Sequence, residues 1–187
     1  MLEYYRELVL VANKKLNLVS RRNVDEVLRN LIAESLLPLD WEICRLKSPV
    51  IDIGSGAGIP GVPLKITRLG LDVLLVESNR RKCLFLRKTI NSLHLTGIDV
   101  VNDRAENVCQ QAEFINFFNT LVSRATAPLA DLLIWGEALL CGGGELIAWK
   151  GSGLGSELSA ANTSMWFGPE LHEREGGLTL VRFELKV

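Results

Sequence analysis

The stretch Asp52-Ile53-Gly54-Ser55-Gly56-Ala57-Gly58-Ile59-Pro60-Gly61 decides how this chain is read. It follows a short apolar run, Pro49-Val50-Ile51-Asp52-Ile53, and precedes residues 63–69, which can form a crossover helix. A glycine-rich turn between strand and helix lets a ligand approach the backbone where side chains would block it. Working outward, residues 72–77 form a second run, whose uninterrupted apolar centre suits a strand covered on both faces. Cys83, Leu86, Ile90 and Leu93 then fall at helical spacing, introduced by the capping candidates Ser78 and Asn79. Residues 98–102 and 120–123 are further strand candidates. Residues 130–140 read as a helix closed by Gly142-Gly143-Gly144, and residues 145–149 as the next strand. This alternation predicts an α/β, Rossmann-like, doubly wound and mostly parallel sheet. Residues 178–186 alternate apolar with polar and no helix follows them, which predicts an antiparallel C-terminal strand.

Upstream of the loop the pattern is helical. Tyr5, Leu8, Val9, Ala12 and Leu16 form one apolar stripe. Asn23 followed by Glu26 resembles a capping box, and Val24, Val27, Leu28, Leu31 and Ile32 carry the next helix to Pro38. No Gly/Ser linker intervenes. The 187 residues are therefore expected to form one domain, with residues 1–40 as a helical extension packed on it.

Composition narrows the class. Hydrophobic residues make up 48% and charged residues 23%, and no apolar stretch is long enough to span a bilayer. The acids in Met1-Leu2-Glu3-Tyr4-Tyr5-Arg6-Glu7 do not suit a signal peptide. Cys44, Cys83, Cys109 and Cys141 are too scattered for a zinc site, so no metal is expected, and they suit a reducing, cytoplasmic setting. The net charge is −1, but residues 14–22 hold four basic residues and residues 80–88 hold five, with no acid in either run. A solvated helix face explains either run alone; two on one face would mean more.

Two ligands compete for the loop. Gly56, Gly58 and Gly61 satisfy a dinucleotide spacing, whereas Gly54, Gly56 and Gly58 preceded by Asp52 match a methyltransferase form. A pyrophosphate wants backbone amides and no acid alongside. S-adenosylmethionine carries an ammonium and a sulfonium, which an adjacent carboxylate such as Asp52 suits, and Pro60 removes an amide an anion could use. Glu77, at the end of the second strand, can bond both ribose hydroxyls of either ligand. A chain of this length leaves little room for the substrate domain a dehydrogenase adds, which favours S-adenosylmethionine, with S-adenosylhomocysteine as product. Arg104-Ala105-Glu106 and Ser123-Arg124-Ala125 follow the third and fourth strands, and ligands bind beyond the carboxyl ends of such strands.

From about Asn13 to Gly151 the chain resembles the bacterial small-subunit ribosomal RNA guanine-N7 methyltransferases, the glucose-inhibited division B family. The resemblance rests on Asn17-Leu18, on the loop continued through Gly61-Val62-Pro63-Leu64, and on Glu77-Ser78 with Arg81-Lys82 and Phe85-Leu86. It also rests on Arg104-Ala105-Glu106, on Ser123-Arg124-Ala125 with Ala127-Pro128-Leu129, and on Lys150-Gly151. It implies that Gly54 and Ile59 touch the cofactor, with Ser55, Gly56 and Gly58 in the same loop. It further implies that Ala105-Glu106 holds the adenine edge, that Arg124 lies at the methyl-transfer site and that Arg104 faces RNA. Arg124 and Arg104 are the expected catalytic pair. Lys14, Lys15, Arg21, Arg22, Arg80, Arg81, Lys82 and Lys150 are the expected RNA contacts. The implied partner is small-subunit ribosomal RNA or an assembly-stage small subunit, met by a monomer and away from any membrane.

Three positions depart from the family pattern: Leu31 stands where a His is usual, Glu77 where an Asp is usual, and a Gly-Glu-Arg segment survives only as Glu175-Gly176-Gly177. The arginine of that segment is missing or is supplied by Arg182. Two rival readings stay open on these grounds: an inactive assembly factor with this fold, and a small-molecule methyltransferase.

Overall fold

The computed structural model describes residues 1–42, 44–174 and 176–187. The chain runs α1 (Leu2–Leu16), α2 (Val24–Ser35), α3 (Leu37–Asp40), β1 (Val50–Ile53), α4 (Gly61–Thr67), β2 (Val73–Val76), α5 (Arg80–Ser92) and β3 (Ile98–Val101). It continues with α6 (Ala105–Val108), β4 (Phe118–Arg124), α7 (Leu129–Leu139), β5 (Leu140–Lys150), α8 (Leu154–Ala160), β6 (Trp166–Glu173) and β7 (Thr179–Leu185). The seven strands form one sheet in the order β3-β2-β1-β4-β5-β7-β6. All pairs from β3 to β5 are parallel, and β7 is antiparallel to both β5 and β6.

The sheet is buried on both sides because alternate residues of its central strands feed two apolar layers. Val50 faces Tyr5, Leu28, Val62 and Leu86, so α1, α2, α4 and α5 cover that face. Ile51 and Ile53 face Ala105, Leu129, Leu132, Leu154 and Trp166 on the other. Residues of α1 and α2 thus share that apolar layer with the sheet. Asn79 caps α5: its side-chain oxygen accepts from the Arg81 and Lys82 amides at 2.9 and 3.3 Å.

Three details differ from expectation. Asn23 sits at the N-cap of α2, but in a left-handed conformation with no side-chain cap bond, so the capping box does not form. Gly142-Gly143-Gly144 does not close a helix; it lies inside β5. With Gly143 at φ 75°, β5 bulges there, so that Phe118 pairs with Leu140 and Thr120 with Glu145. Strand β6 is not among the strand candidates named above, and its Gly168-Pro169 pair is ordinarily a turn signal. It survives because β6 is the sheet edge, where the missing proline amide costs no ladder bond.

Candidate active site

Strand order reverses between β1 and β4, which leaves a crevice at the carboxyl ends of the strands. A cavity of about 360 Å³ lies there. Its floor is Gly54 and Gly56 from the loop after β1, with Glu77 and Ser78 from the end of β2. One wall is Asp103, Arg104, Ala105 and Glu106 at the start of α6; the other is Ala125 and Thr126 after β4, with Trp135 of α7. Lys82 closes the rim.

The loop is held from three directions. Glu77 accepts from the Gly56 amide at 3.0 Å with one carboxyl oxygen and from the Asn79 amide at 2.7 Å with the other. Thr126 sits directly on Gly54, whose φ is 73°; a Cβ there would fall 2.1 Å from the threonine Cγ2. The Tyr5 hydroxyl of α1 donates to the Ala57 carbonyl at 2.9 Å.

Asp52 takes a different place from the one its charge suggested. Alternation along β1 sends it, with Val50, to the face covered by α4, where it is fully buried. Its Oδ2 accepts from the Gly61 amide at 2.8 Å, while Oδ1 is buried without a partner. Burial pushes this carboxyl up to about 7, opposed by the Gly61 bond and reinforced by the charge of Glu77. Burial, and next the charge of Asp52, raises the Tyr5 phenol well above its ordinary value. Asp52 therefore braces the underside of the loop. Ser55, Gly58 and Ile59 are buried in the same turn, outside the cavity wall.

Arg124, at the end of β4, is mostly buried and pairs through Nη2 with Glu34 of α2 at 2.5 Å. Its Nη1 is buried and, among the described residues, has no acceptor. The Glu34 carbonyl accepts from the Trp149 indole at 2.8 Å, which ties α2 to β5. Sequence reasoning missed Glu34, since nothing along α2 marks it as a partner of a residue 90 positions away. It also missed Thr126 and Trp135.

The basic residues divide. Lys14 and Lys15 end α1, Arg21 and Arg22 occupy the turn before α2, and Arg80 and Arg81 begin α5; all are exposed. Lys14 and Arg21 share one depression, and α1 packs against α5. Lys150 is different: it is buried, donating to the Ala127 carbonyl at 2.8 Å and to Glu157 at 2.6 Å. Its charge is spent inside, locking β5 to α8. Arg182 is also buried, held by Glu145, Glu170 and Glu184 at 2.6 to 2.7 Å, so it cannot replace a missing arginine in the crevice. Glu175 lies outside the described residues.

Among the described residues no cluster of His, Cys, Asp or Glu could hold a metal, and no helix is long and apolar enough to cross a membrane. The sheet order, the antiparallel β7 and the crevice beside a glycine loop define the fold of the S-adenosylmethionine-dependent methyltransferases. One solved structure, a mutant of MtNAS in complex with S-adenosylmethionine, superposes with a TM-score of 0.65 at 17% identity, covering 99% of this chain and 76% of that one. Residues 1–174 match the family model GidB, rRNA small subunit methyltransferase G, and the chain belongs to that family. It is 40% identical to the ribosomal RNA small subunit methyltransferase G of Carboxydothermus hydrogenoformans, over 86% of this chain and 68% of the relative. The protein of that name from Moorella thermoacetica is 38% identical, over 86% of this chain and 67% of its own length.

Proposed function

We propose that this protein transfers a methyl group from S-adenosylmethionine to N7 of a guanine in small-subunit ribosomal RNA. The observation that carries the reading is the chemistry of the crevice. Its charged groups are three carboxylates, Glu77, Asp103 and Glu106, against two cations, Lys82 and Arg104, beside open backbone at Gly54 and Gly56. That set suits a cationic ligand with a ribose diol and opposes a pyrophosphate. The orphaned Oδ1 of Asp52 adds an unused acceptor beneath the same loop.

On this reading Glu77 holds the ribose hydroxyls, and Ala105 with Glu106 the adenine edge. Gly54, Ser55, Gly56, Gly58 and Ile59 shape the floor, while Asp52 holds the loop rigid from below. S-adenosylmethionine supplies an electrophilic methyl group on sulfur. Attack by the guanine N7 lone pair on that methyl would leave the carbon–sulfur electron pair on sulfur, giving S-adenosylhomocysteine, and would require no proton to leave. No general base is needed. The protein's task is to align the lone pair and to place charge where the ring becomes positive. On this reading Arg104, in the crevice wall, and Arg124, at the end of β4, position RNA at the transfer point.

Lys14, Lys15, Arg21, Arg22, Arg80, Arg81 and Lys82 form the RNA-facing surface, through phosphate contacts that position without reading sequence. Three of these cations begin α5, where a helix dipole disfavours positive charge, so helix stability does not account for them. One domain, with its helical extension bracing the loop, is the working unit, and it acts as a monomer. Because N7 lies in the deep major groove of an RNA helix, the target must be unpaired or exposed at an assembly stage. Labelled methyl donor offered to naked ribosomal RNA, a partly assembled small subunit and the mature subunit tests this. Label at N7 of one guanine, strongest on an accessible substrate, is the expected result; label only on free guanosine refutes it.

A further inference from the structure

A second cavity, of about 540 Å³, lies at the end of α2. Its walls are Ala33, Glu34 and Leu37 from the end of α2, facing Glu173, Arg174 and Leu178 from the turn between β6 and β7. The Arg124–Glu34 pair stands between the two spaces. Glu34 lines this cavity, whereas Ala125 and Thr126, directly after Arg124, line the crevice. The position is adjacent to the proposed methyl donor but separate from its binding wall.

We propose that this cavity receives the target guanine, with its Watson–Crick edge on Arg124 and Glu34; the proposal rests on the function inferred above. That edge presents an acceptor, O6, followed by two donors, N1–H and the 2-amino group. The pair presents the complement. Arg124 Nη1, buried beside Glu34 and lining neither cavity, is a cationic donor with no acceptor among the described residues, and Glu34 offers carboxylate oxygens to the cavity itself; Arg124 meets the base by turning its guanidinium into this space. An unpaired buried donor is costly, and a ligand oxygen relieves that cost.

The same arrangement rejects the alternatives. Adenine would turn its N1 lone pair toward the Glu34 carboxylate and lacks the 2-amino donor, so acceptor meets acceptor. Holding the Watson–Crick edge leaves N7, on the other side of O6, free to face the crevice. As methylation makes the ring positive, N1–H becomes a stronger donor, and its bond to Glu34 tightens in the transition state. Glu34 is thus a specificity-determining residue in contact with substrate, and Arg124 both holds it and bonds O6.

Once the modified guanosine is mapped, RNA fragments carrying guanosine or inosine at that position separate the possibilities. Inosine lacks only the 2-amino group and keeps N7 and O6. Wild-type protein should methylate guanosine with a kcat/KM roughly ten- to a hundred-fold above inosine, the worth of one charge-assisted hydrogen bond. In Glu34→Gln the preference should collapse towards equality, with S-adenosylmethionine affinity unchanged by calorimetry. Should loss of the charge beside Arg124 unfold that variant, Glu34→Asp keeps the ion pair while withdrawing the carboxylate, and its preference should fall in the same direction. An unchanged guanosine preference in a variant that still binds the methyl donor overturns the assignment. A wild-type protein that methylates no guanosine overturns the function itself, and this cavity's role with it.

Discussion

The hydroxyl of Tyr5 reaches across from the first helix to the backbone of the glycine loop, donating to the Ala57 carbonyl from a site with no solvent exposure. An element that the sequence presents as an appendage is therefore part of the machinery that sets the loop. Tyr5→Phe keeps the ring and leaves the buried Ala57 carbonyl unsatisfied, a loss of about 1–3 kcal/mol. Thermal unfolding should register most of this. Calorimetry should show weaker methyl-donor binding as well, since the loop is freed on one side. Wild-type affinity in the variant would mean that the loop holds its shape without α1.

Glu77 holds two backbone amides in the free protein and, on the proposed reading, exchanges some of that work for ribose hydroxyls. Glu77→Ala should weaken S-adenosylmethionine binding by about 1.5–3 kcal/mol for each charge-assisted bond lost. Glu77→Asp, the family's usual residue here, should retain most of the affinity. An alanine variant that binds the cofactor as tightly as wild type would remove Glu77 from the site.

Charge reversal at Arg80 and Arg81 sets two physical effects in opposition. Acids in the first turn of α5 complement the helix dipole, worth about 0.3–1 kcal/mol each, so the double Glu variant should be as stable as wild type or more so. Phosphate contacts are lost at the same time. RNA affinity should drop and its dependence on salt should flatten. A salt slope equal to that of the wild type would make these two arginines ordinary surface charge.

Asp52 gives a pH dependence with an unusual sign. Its folded pKa, about 7, lies above the value of an unfolded aspartate, so the native state holds the extra proton between roughly pH 4 and 7. The stability this proton provides is complete below that window and is lost as pH rises through about 7. Asp52→Asn can keep the bond from Gly61 and does not titrate. Relative to wild type, it should therefore gain stability from about pH 4 to about pH 7 and level off above that when unfolding midpoints are compared. A difference that stays flat with pH would show that the Asp52 carboxyl titrates normally.

The fold was legible because its signals are local. Strand-length apolar runs, the glycine loop and the Asn79 cap each lie within a few residues, and each forms where expected. What escaped was decided by neighbours distant along the chain. Gly168-Pro169 is a turn signal until the sheet order makes β6 an edge. Gly142–Gly144 is a stop signal until β4 pairs past it. Within the candidate site, Glu77, Ala105 and Glu106 follow from their place at strand ends. The buried positions of Asp52 and Lys150 depend instead on which face of the strand packs inward. Glu34 could be found only through Arg124, because the pair exists solely in three dimensions.

Arg182 bonds carboxylates on β5, β6 and its own strand β7, and β6 meets the sheet through β7 alone. The hairpin therefore joins the sheet along the β5–β7 seam and is held from the helix side by Trp166, whose indole donates to Glu137 of α7 at 3.1 Å; parting both lets the two strands swing out together. Glu173, Arg174 and Leu178 belong to this hairpin, whereas no residue of the cofactor crevice does. Local opening of such a unit costs less than global unfolding. Amide exchange along β6 and β7 should thus outpace that of β1 and β4, so the molecule can release a methylated nucleobase by breathing at one edge while its spent cofactor is still gripped at the centre.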